Sequence, residues 1–322
     1  MRAGALGNSG LALAVLSGAT FGVTGSFASS LIDAGWTPGA AVLARVVIAA
    51  VLLTVPALVQ LRSRRVSIRA GRTVVLYGVF AVAVAQLCYF NAVSHLSVAV
   101  ALLLEYSGIL LVVAWGWVRH GHRPRGLTLI GGAAALGGLA LVLHIAGSSH
   151  HVDLVGVLWG LGAAVGLAVY FVVASLTDDV LPPLALAWGG LAVGAAVLGI
   201  AAATGVVAMR VTTGSVTLLD RQVSWLVPVL GLAVVAGVVA YLAGITAARM
   251  LGAKLASFAG LTEVLFAVFF AWLLLDQRLD GVQLAGGVLV ITGIALVRLD
   301  EMREPTKRSA TESRVVALQE RV

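Results

Sequence analysis

Charged residues are scarce in this chain, and that scarcity excludes a water-soluble fold. Only 11% of the 322 residues are charged, whereas 60% are hydrophobic, and a soluble domain carries about 25% charged residues. Lipid must therefore solvate most of the molecular surface. The formal net charge of +7 does not indicate nucleic-acid binding, because the basic residues lie in loops between apolar runs. The sequence predicts an integral membrane protein.

Residues and motifs that carry chemistry are also missing. The single cysteine, Cys88, cannot form an intramolecular disulfide and is interpreted as a small buried hydrophobic residue. The chain has no Gly-x4-Gly-Lys-Ser/Thr motif for nucleotide phosphates, no His-Glu-x-x-His motif and no aspartate-rich metal motif. We therefore expect no enzyme activity, no metal and no other cofactor.

Ten apolar runs are each long enough to cross a bilayer as a helix, which takes about 20 residues. They are residues 9–32, 39–61, 73–93, 97–118, 126–146, 152–176, 184–208, 225–247, 253–275 and 281–299. The stretch 209–224 between the seventh and eighth runs is polar and is expected to be a loop. The runs predict an all-α integral membrane protein with ten transmembrane helices.

Two stretches of the chain, residues 78–142 and 233–297, align without a gap at an offset of 155 positions. Twenty of the 65 aligned positions are identical, including Trp117 with Trp272, whereas this composition would give roughly a tenth by chance. Both stretches consist of long apolar segments. The similarity indicates that the protein is built from two duplicated halves.

The duplication divides the chain into two five-helix repeats, residues 1–147 and 148–299, and a disordered tail at 300–322. Because five is an odd number, the second repeat enters the membrane from the opposite side. With the N-terminus inside, 17 of the 21 basic residues lie on the cytoplasmic side, as the positive-inside rule requires. We expect inverted-topology repeats in the cell membrane, with both termini in the cytoplasm.

Three ionisable residues lie deep within predicted spans: Arg45, Glu105 and Glu263. A charge near the bilayer centre costs at least about 2.5–3.5 kcal/mol on insertion scales, so such residues usually face a cavity or a partner. The repeat alignment places the two glutamates three residues apart on equivalent helices, so both should face the interface between repeats. We expect one to bind a substrate ammonium and one to exchange a proton. The alternatives are a hydrogen-bonded structural carboxyl or an ion pair with Arg45.

Further polar and aromatic residues could complete a substrate site. Arg45 either holds a substrate carboxylate or extends to the outer surface. The hydroxyl of Thr262 either faces the cavity or bonds back to its own helix. The other candidates, from the third, fourth and eighth spans, are Gln86, Tyr89, Asn91, Tyr106 and Tyr241.

Three segments resemble the second, fourth and ninth helices of the EamA family of the drug/metabolite transporter superfamily: Val42-Leu43-Ala44-Arg45, residues 104–118 and residues 262–278. The resemblance extends over about residues 9–299 and implies export of small metabolites, often amino acids or related compounds, by alternating access.

This chain also departs from the family pattern. Prolines that the family often has in the fourth and ninth helices are replaced by Ile109 and Val264. Their absence argues against helix breaks beside the glutamates.

The combined expectation is a secondary transporter that exports amino acids or related compounds. Its partners would be a small-molecule substrate, the lipid bilayer and protons as the coupling ion, without nucleic acid. Two deep carboxylates would also suit efflux of cationic drugs, which stays open as an alternative. A channel or a membrane-embedded enzyme is less favoured, because no catalytic set of residues lies at depth. The sequence does not decide between a monomer and a homodimer.

Overall fold

The computed structural model describes residues 2–62, 67–96, 98–121, 123–143, 153–176, 181–218, 221–275 and 280–302. Most of the predicted tail, from residue 303 onward, lies outside these ranges. The helices are α1 (Arg2–Gly22), α2 (Thr24–Asp33), α3 (Pro38–Leu61), α4 (Ile68–Leu76), α5 (Ala85–His95), α6 (Val98–Tyr106), α7 (Gly108–His120), α8 (Gly126–Val142), α9 (Leu154–Ser175), α10 (Pro183–Ala203), α11 (Leu226–Gly231), α12 (Ala240–Gly260), α13 (Thr262–Leu275) and α14 (Gly281–Met302). Two π-helical segments complete them: Tyr77–Val84 between α4 and α5, and Leu232–Val239 between α11 and α12.

Within the described ranges, eight helical stretches are long and apolar enough to cross a membrane, and α8 is a shorter apolar helix. Large apolar side chains face outward, as on α3, where Val51 and Val55 are 65% and 70% exposed. Such a surface suits lipid and not water. The prediction of a helical, multi-pass membrane protein is confirmed, while the count of ten spans and their inverted topology stay predictions.

The predicted eighth and ninth spans follow each other without an intervening loop. Residues from Leu226 to Gly260 form one helical stretch, but Gly252 inside it has φ 78° and ψ 162°. A positive φ is adopted readily only by glycine, because a Cβ would clash there. The chain therefore changes direction at Gly252 between two helices.

The polar stretch 209–224, expected to be a loop, contains an antiparallel hairpin. Strand β1 (Ser215–Leu218) pairs with strand β2 (Arg221–Ser224), and Val216 of β1 is buried in a cluster with Trp36. The expectation of a plain loop is wrong, because Val216 and Val223 pair across the two strands and give them an apolar face. The hairpin segment therefore packs onto the connection between α2 and α3.

The two π-helical segments are equivalent in the repeats, because their first residues, Tyr77 and Leu232, are 155 positions apart. This offset is the same as in the sequence alignment. A π-helix is rare and is frequently found at functional sites. The duplication therefore extends to an irregularity of the backbone.

Helices α8 and α14, the last of each repeat, interlock through four glycines. A Cβ added to Gly138 would lie 2.6 Å from the Gly286 carbonyl oxygen, and one added to Gly286 would lie 2.6 Å from that of Gly138. Gly131 and Gly293 form the second pair, at 2.8 and 2.5 Å. Positions along one helix rise as those along the other fall, so the helices are antiparallel. The contact has the form of a local two-fold axis between the repeats.

Candidate substrate site

A cavity of about 510 Å³ lies at the centre of the molecule and is lined by both repeats. Cavities that hold small molecules typically measure about 300–1,000 Å³. Seven of the nine predicted site residues line it: Arg45, Gln86, Tyr89, Glu105, Tyr106, Tyr241 and Glu263. Its volume and its few polar groups suit a small polar ligand with an apolar part.

The other two predicted site residues, Asn91 and Thr262, do not line this cavity. The amide of Asn91 donates a hydrogen bond to the Leu87 carbonyl at 2.7 Å. The Thr262 hydroxyl donates to the Ala259 carbonyl at 2.7 Å. Each of these bonds lies within one helical segment. The two side chains therefore bond to the backbone, Asn91 within α5 and Thr262 at the junction of α12 and α13.

The position of Glu263 depends on close packing between α1 and α13. A Cβ added to Gly18 would lie 3.0 Å from the backbone nitrogen of Glu263, and one added to Gly22 would lie 2.8 Å from its carbonyl oxygen. Glycines allow two helices to approach at this separation. The spacing of four residues between them places both on the face of α1 that touches the start of α13.

Both helices that carry a glutamate are interrupted beside it. The Ser107 hydroxyl, between α6 and α7, donates to the Leu104 carbonyl at 2.5 Å. The Thr262 hydroxyl makes the equivalent bond to Ala259 between α12 and α13. Both donors and both acceptors are 155 positions apart. The expectation that missing prolines mean unbroken helices is wrong, because a side-chain hydroxyl that bonds back to the backbone can accompany a break.

Glu105, Glu263 and Tyr106 form an acidic cluster in the cavity wall. The two carboxyl groups lie close enough to interact electrostatically, and the Tyr106 hydroxyl lies close enough to interact with the Glu263 carboxyl. Tyr89 interacts electrostatically with both carboxyls. Two carboxylates that share a desolvated site are costly when both are ionised. Either a proton or a cationic ligand would relieve that cost.

Arg45 brings the opposite charge to the cavity. It is only 5% exposed, and its Nε atom has no hydrogen-bond partner. It interacts electrostatically with Glu263 and with Tyr241, but no carboxylate of the described residues lies within the 4.0 Å of a salt bridge from it. Its burial does not fit a side chain that extends to the outer surface. A buried guanidinium without an ion-pair partner is costly, so it favours an anionic group in the cavity.

The predicted site residues leave out the part of the cavity that α1, α2 and α9 form. This part is lined by Ser17, Phe21, Thr24, Tyr170 and Phe171. The Thr24 hydroxyl has no hydrogen-bond partner among the described residues. Ser17 and Thr24 are polar residues within an apolar run, a signal that could have identified them. The two phenylalanines carry no comparable signal in the sequence.

The model of the EamA-like transporter family matches the chain twice, at residues 8–144 and 154–299. The two matches cover nearly all of the chain, one match in each repeat. The chain belongs to the EamA-like transporter family, and the resemblance drawn from its helices is confirmed. It is therefore a membrane transporter, and the family is not one of enzymes.

Comparison with solved structures supports the fold and carries no information about the substrate. A solved crystal structure of a protein superimposes with a TM-score of 0.74 at 18% sequence identity, over 92% of this chain and 98% of that chain. No protein with a curated description matches the chain.

Proposed function

We propose that this chain is a secondary transporter that exports amino acids or related zwitterionic metabolites by alternating access. One observation carries the proposal: the central cavity contains both a pair of carboxyl groups and a buried guanidinium that is not engaged in an ion pair with them. A zwitterion offers one group of each charge, so it satisfies both sides of the cavity at once.

The groups of the cavity suit the parts of such a substrate. The substrate carboxylate binds Arg45, whose planar guanidinium can offer two parallel N–H donors to two oxygens. The substrate ammonium binds the acidic cluster of Glu105 and Glu263. Aromatic side chains of the wall, among them Phe21 and Phe90, surround the apolar remainder.

Proton coupling follows from the acidic cluster. Two neighbouring carboxyls in a desolvated site retain a proton more readily than one carboxyl in water. A substrate ammonium supplies the same neutralising charge, so proton and substrate compete for the cluster. A carrier that binds one or the other in turn exchanges substrate for protons across the membrane.

Efflux of cationic drugs is the second candidate. The pair of carboxyls and the aromatic walls support it, since cations bind both carboxylates and aromatic faces. The buried Arg45 opposes it, because a cation leaves the guanidinium without an anionic partner.

Transport in proteoliposomes tests both candidates. We would load a panel of amino acids and organic cations, impose a pH gradient, and compare the parent with Glu105→Gln, Glu263→Gln and Arg45→Ala. The matched control is Glu301→Gln, because Glu301 pairs with Lys254 at 2.7 Å and neither residue lines the cavity. We expect gradient-stimulated amino acid flux that one glutamine variant abolishes and that the control keeps.

The arginine variants separate the two substrate classes. Arg45→Ala should abolish flux of zwitterions, and Arg45→Lys should restore it only in part, because a lysine cannot form the two parallel bonds. Cation flux that survives Arg45→Ala, without amino acid flux in the parent, would favour drug efflux. Flux that ignores both the gradient and the glutamine substitutions would contradict proton coupling.

A further inference from the structure

We infer that Tyr77 and Tyr170 form a gate in the translocation path, and that a second cavity beyond them is the vestibule on the other side. This cavity measures about 320 Å³ and lies near Arg69 and Arg249, at the end of the molecule predicted to be cytoplasmic. The inference rests on the proposed transport through the central cavity, but not on the choice of substrate.

One face of the third span runs from one cavity to the other. Arg69 and Thr73 line the vestibule, and Ala81 and Tyr89 line the central cavity. Each residue in this series is four positions from the next, so successive members adjoin on the surface of the helical stretch. Tyr77 occupies the position between them and is 0% exposed. It is therefore the residue that interrupts a continuous lining.

Along the sixth and eighth spans too, residues that line the central cavity are followed by residues that line the vestibule. On α9, Leu167 and Tyr170 line the central cavity, whereas Leu176 lines the vestibule. On α12, Ala247 lines the central cavity and Arg249 the vestibule. Three helices thus connect the two cavities. The barrier between the cavities has to come from side chains that these helices hold between them.

Aromatic rings fill that space. The ring centres of Tyr77 and Tyr170 are 5.7 Å apart. Tyr170 also packs edge-on against Phe171 at 4.9 Å and against Tyr241 at 6.0 Å. Both Tyr170 and Tyr241 belong to the wall of the central cavity. A ligand in that cavity would touch the same rings that close the path.

The barrier is built so that it can open. The hydroxyls of Tyr77 and Tyr170 are buried and have no partner beyond each other among the described residues, so much of their hydrogen-bonding capacity is unused, and such groups disfavour the state that buries them. Opening the path would hydrate both hydroxyls, which offsets the loss of ring contacts. Tyr77 is also the first residue of a π-helical segment, an irregularity that is frequent at functional sites.

Thiol labelling tests the gate without any substrate. Cys88 is the only cysteine of the chain, so Cys88→Ala provides a cysteine-free background. Thr73→Cys then places one reporter in the vestibule. A membrane-impermeant thiol reagent is added to right-side-out and to inside-out vesicles, so the experiment also determines which end is inside. The variants are Tyr77→Ala, Tyr77→Phe and, as a matched control, Phe258→Ala. Phe258 is buried among other residues and lines neither cavity.

With Tyr77 in place, the reporter should react from one side of the membrane only. Tyr77→Ala should raise labelling from the opposite side several-fold, because the path is no longer blocked. Tyr77→Phe and Phe258→Ala should label as the parent does, since the first keeps the ring and the second removes a ring elsewhere.

Equal labelling from both sides in the parent, or unchanged one-sided labelling in Tyr77→Ala, would overturn the inference. If Tyr77→Ala does not assemble, Tyr77→Val leaves a smaller gap, and a smaller rise from the opposite side is expected. A rise in Phe258→Ala equal to that in Tyr77→Ala would also overturn it, because general loosening would then explain both. Failure of amino acid transport leaves these outcomes unaffected.

Discussion

Substituting Gly138 by alanine tests the interlock between α8 and α14. The added Cβ would lie 2.6 Å from the Gly286 carbonyl oxygen and 2.7 Å from the Val290 nitrogen, whereas an ordinary contact begins at 3.4 Å. Both of these atoms belong to the backbone, so no side chain can move aside. The two helices must separate by several tenths of an ångström.

The change in the free energy of unfolding combines two opposing effects. Overpacking a close contact costs about 1–3 kcal/mol, while alanine stabilises a helix interior by about 1 kcal/mol relative to glycine. The neighbouring residue, Gly137, isolates the first effect, because a Cβ there would meet nothing within 4 Å. In Gly137→Ala, only the higher helix propensity of alanine should change the free energy of unfolding. The unfolding free energies of the two variants should therefore differ by about 1–3 kcal/mol.

Thermal unfolding in detergent micelles, followed by tryptophan fluorescence, measures this difference. The Gly138→Ala variant should melt below the parent or close to it, and Gly137→Ala at or above it. The double variant of Gly138 and Gly286 should lose less than the sum of the single variants, since the first alanine already separates the helices. Equal midpoints for Gly137→Ala and Gly138→Ala would refute the reasoning.

Three further predictions concern other parts of the chain. Gly252→Ala should destabilise by about 1–3 kcal/mol in the same assay, through backbone strain alone, because φ is 78° and ψ is 162° and no atom lies within 4 Å of its Cβ position. Thr128→Val should destabilise by about 1–3 kcal/mol, because it removes the hydrogen bond to the buried carboxyl of Asp300. Asp153 caps α9, and the hydrogen bond from the Val155 N–H holds its pKa below the ordinary value. Its contribution to stability is therefore present above about pH 4 and is lost as the pH falls through the lowered pKa. Asp153→Asn should remove this acid dependence, as a melting series against pH would show.

The features that could be predicted from the sequence are those that depend on a local pattern of residues. Apolar run length predicted the membrane helices, and a constant offset of 155 positions predicted the duplication that reappears in the π-helical segments. Glu105 and Glu263 were identifiable because a charge within an apolar run is costly. Each of these signals depends on one stretch of chain, or on the comparison of two.

The remaining features depend on how helices rotate and approach one another. Asn91 and Tyr89 are two positions apart, yet only Tyr89 lines the cavity. No sequence pattern distinguished the two, because the third span is apolar on nearly all sides. The strands Ser215–Leu218 and Arg221–Ser224 were missed because each has only four residues. Phe21 and Phe171 line the cavity because helices that are distant in the sequence pack together, and a single sequence does not show which helices do so.

The glycine interlock of α8 and α14 has a consequence for ancestry. In that contact Gly138 meets Gly286, the counterpart of Gly131, and Gly131 meets Gly293, the counterpart of Gly138. A surface that binds its own copy about a two-fold axis has this reciprocity, as in a symmetric homodimer. A chain with only one repeat would carry the same glycine surface and could pair with a second copy whose helix runs antiparallel to its own. Gene fusion of two such copies would have preserved that contact and left each half free to diverge, as at Glu105, which aligns with Gly260 of the other repeat, and at Glu263, which aligns with Gly108.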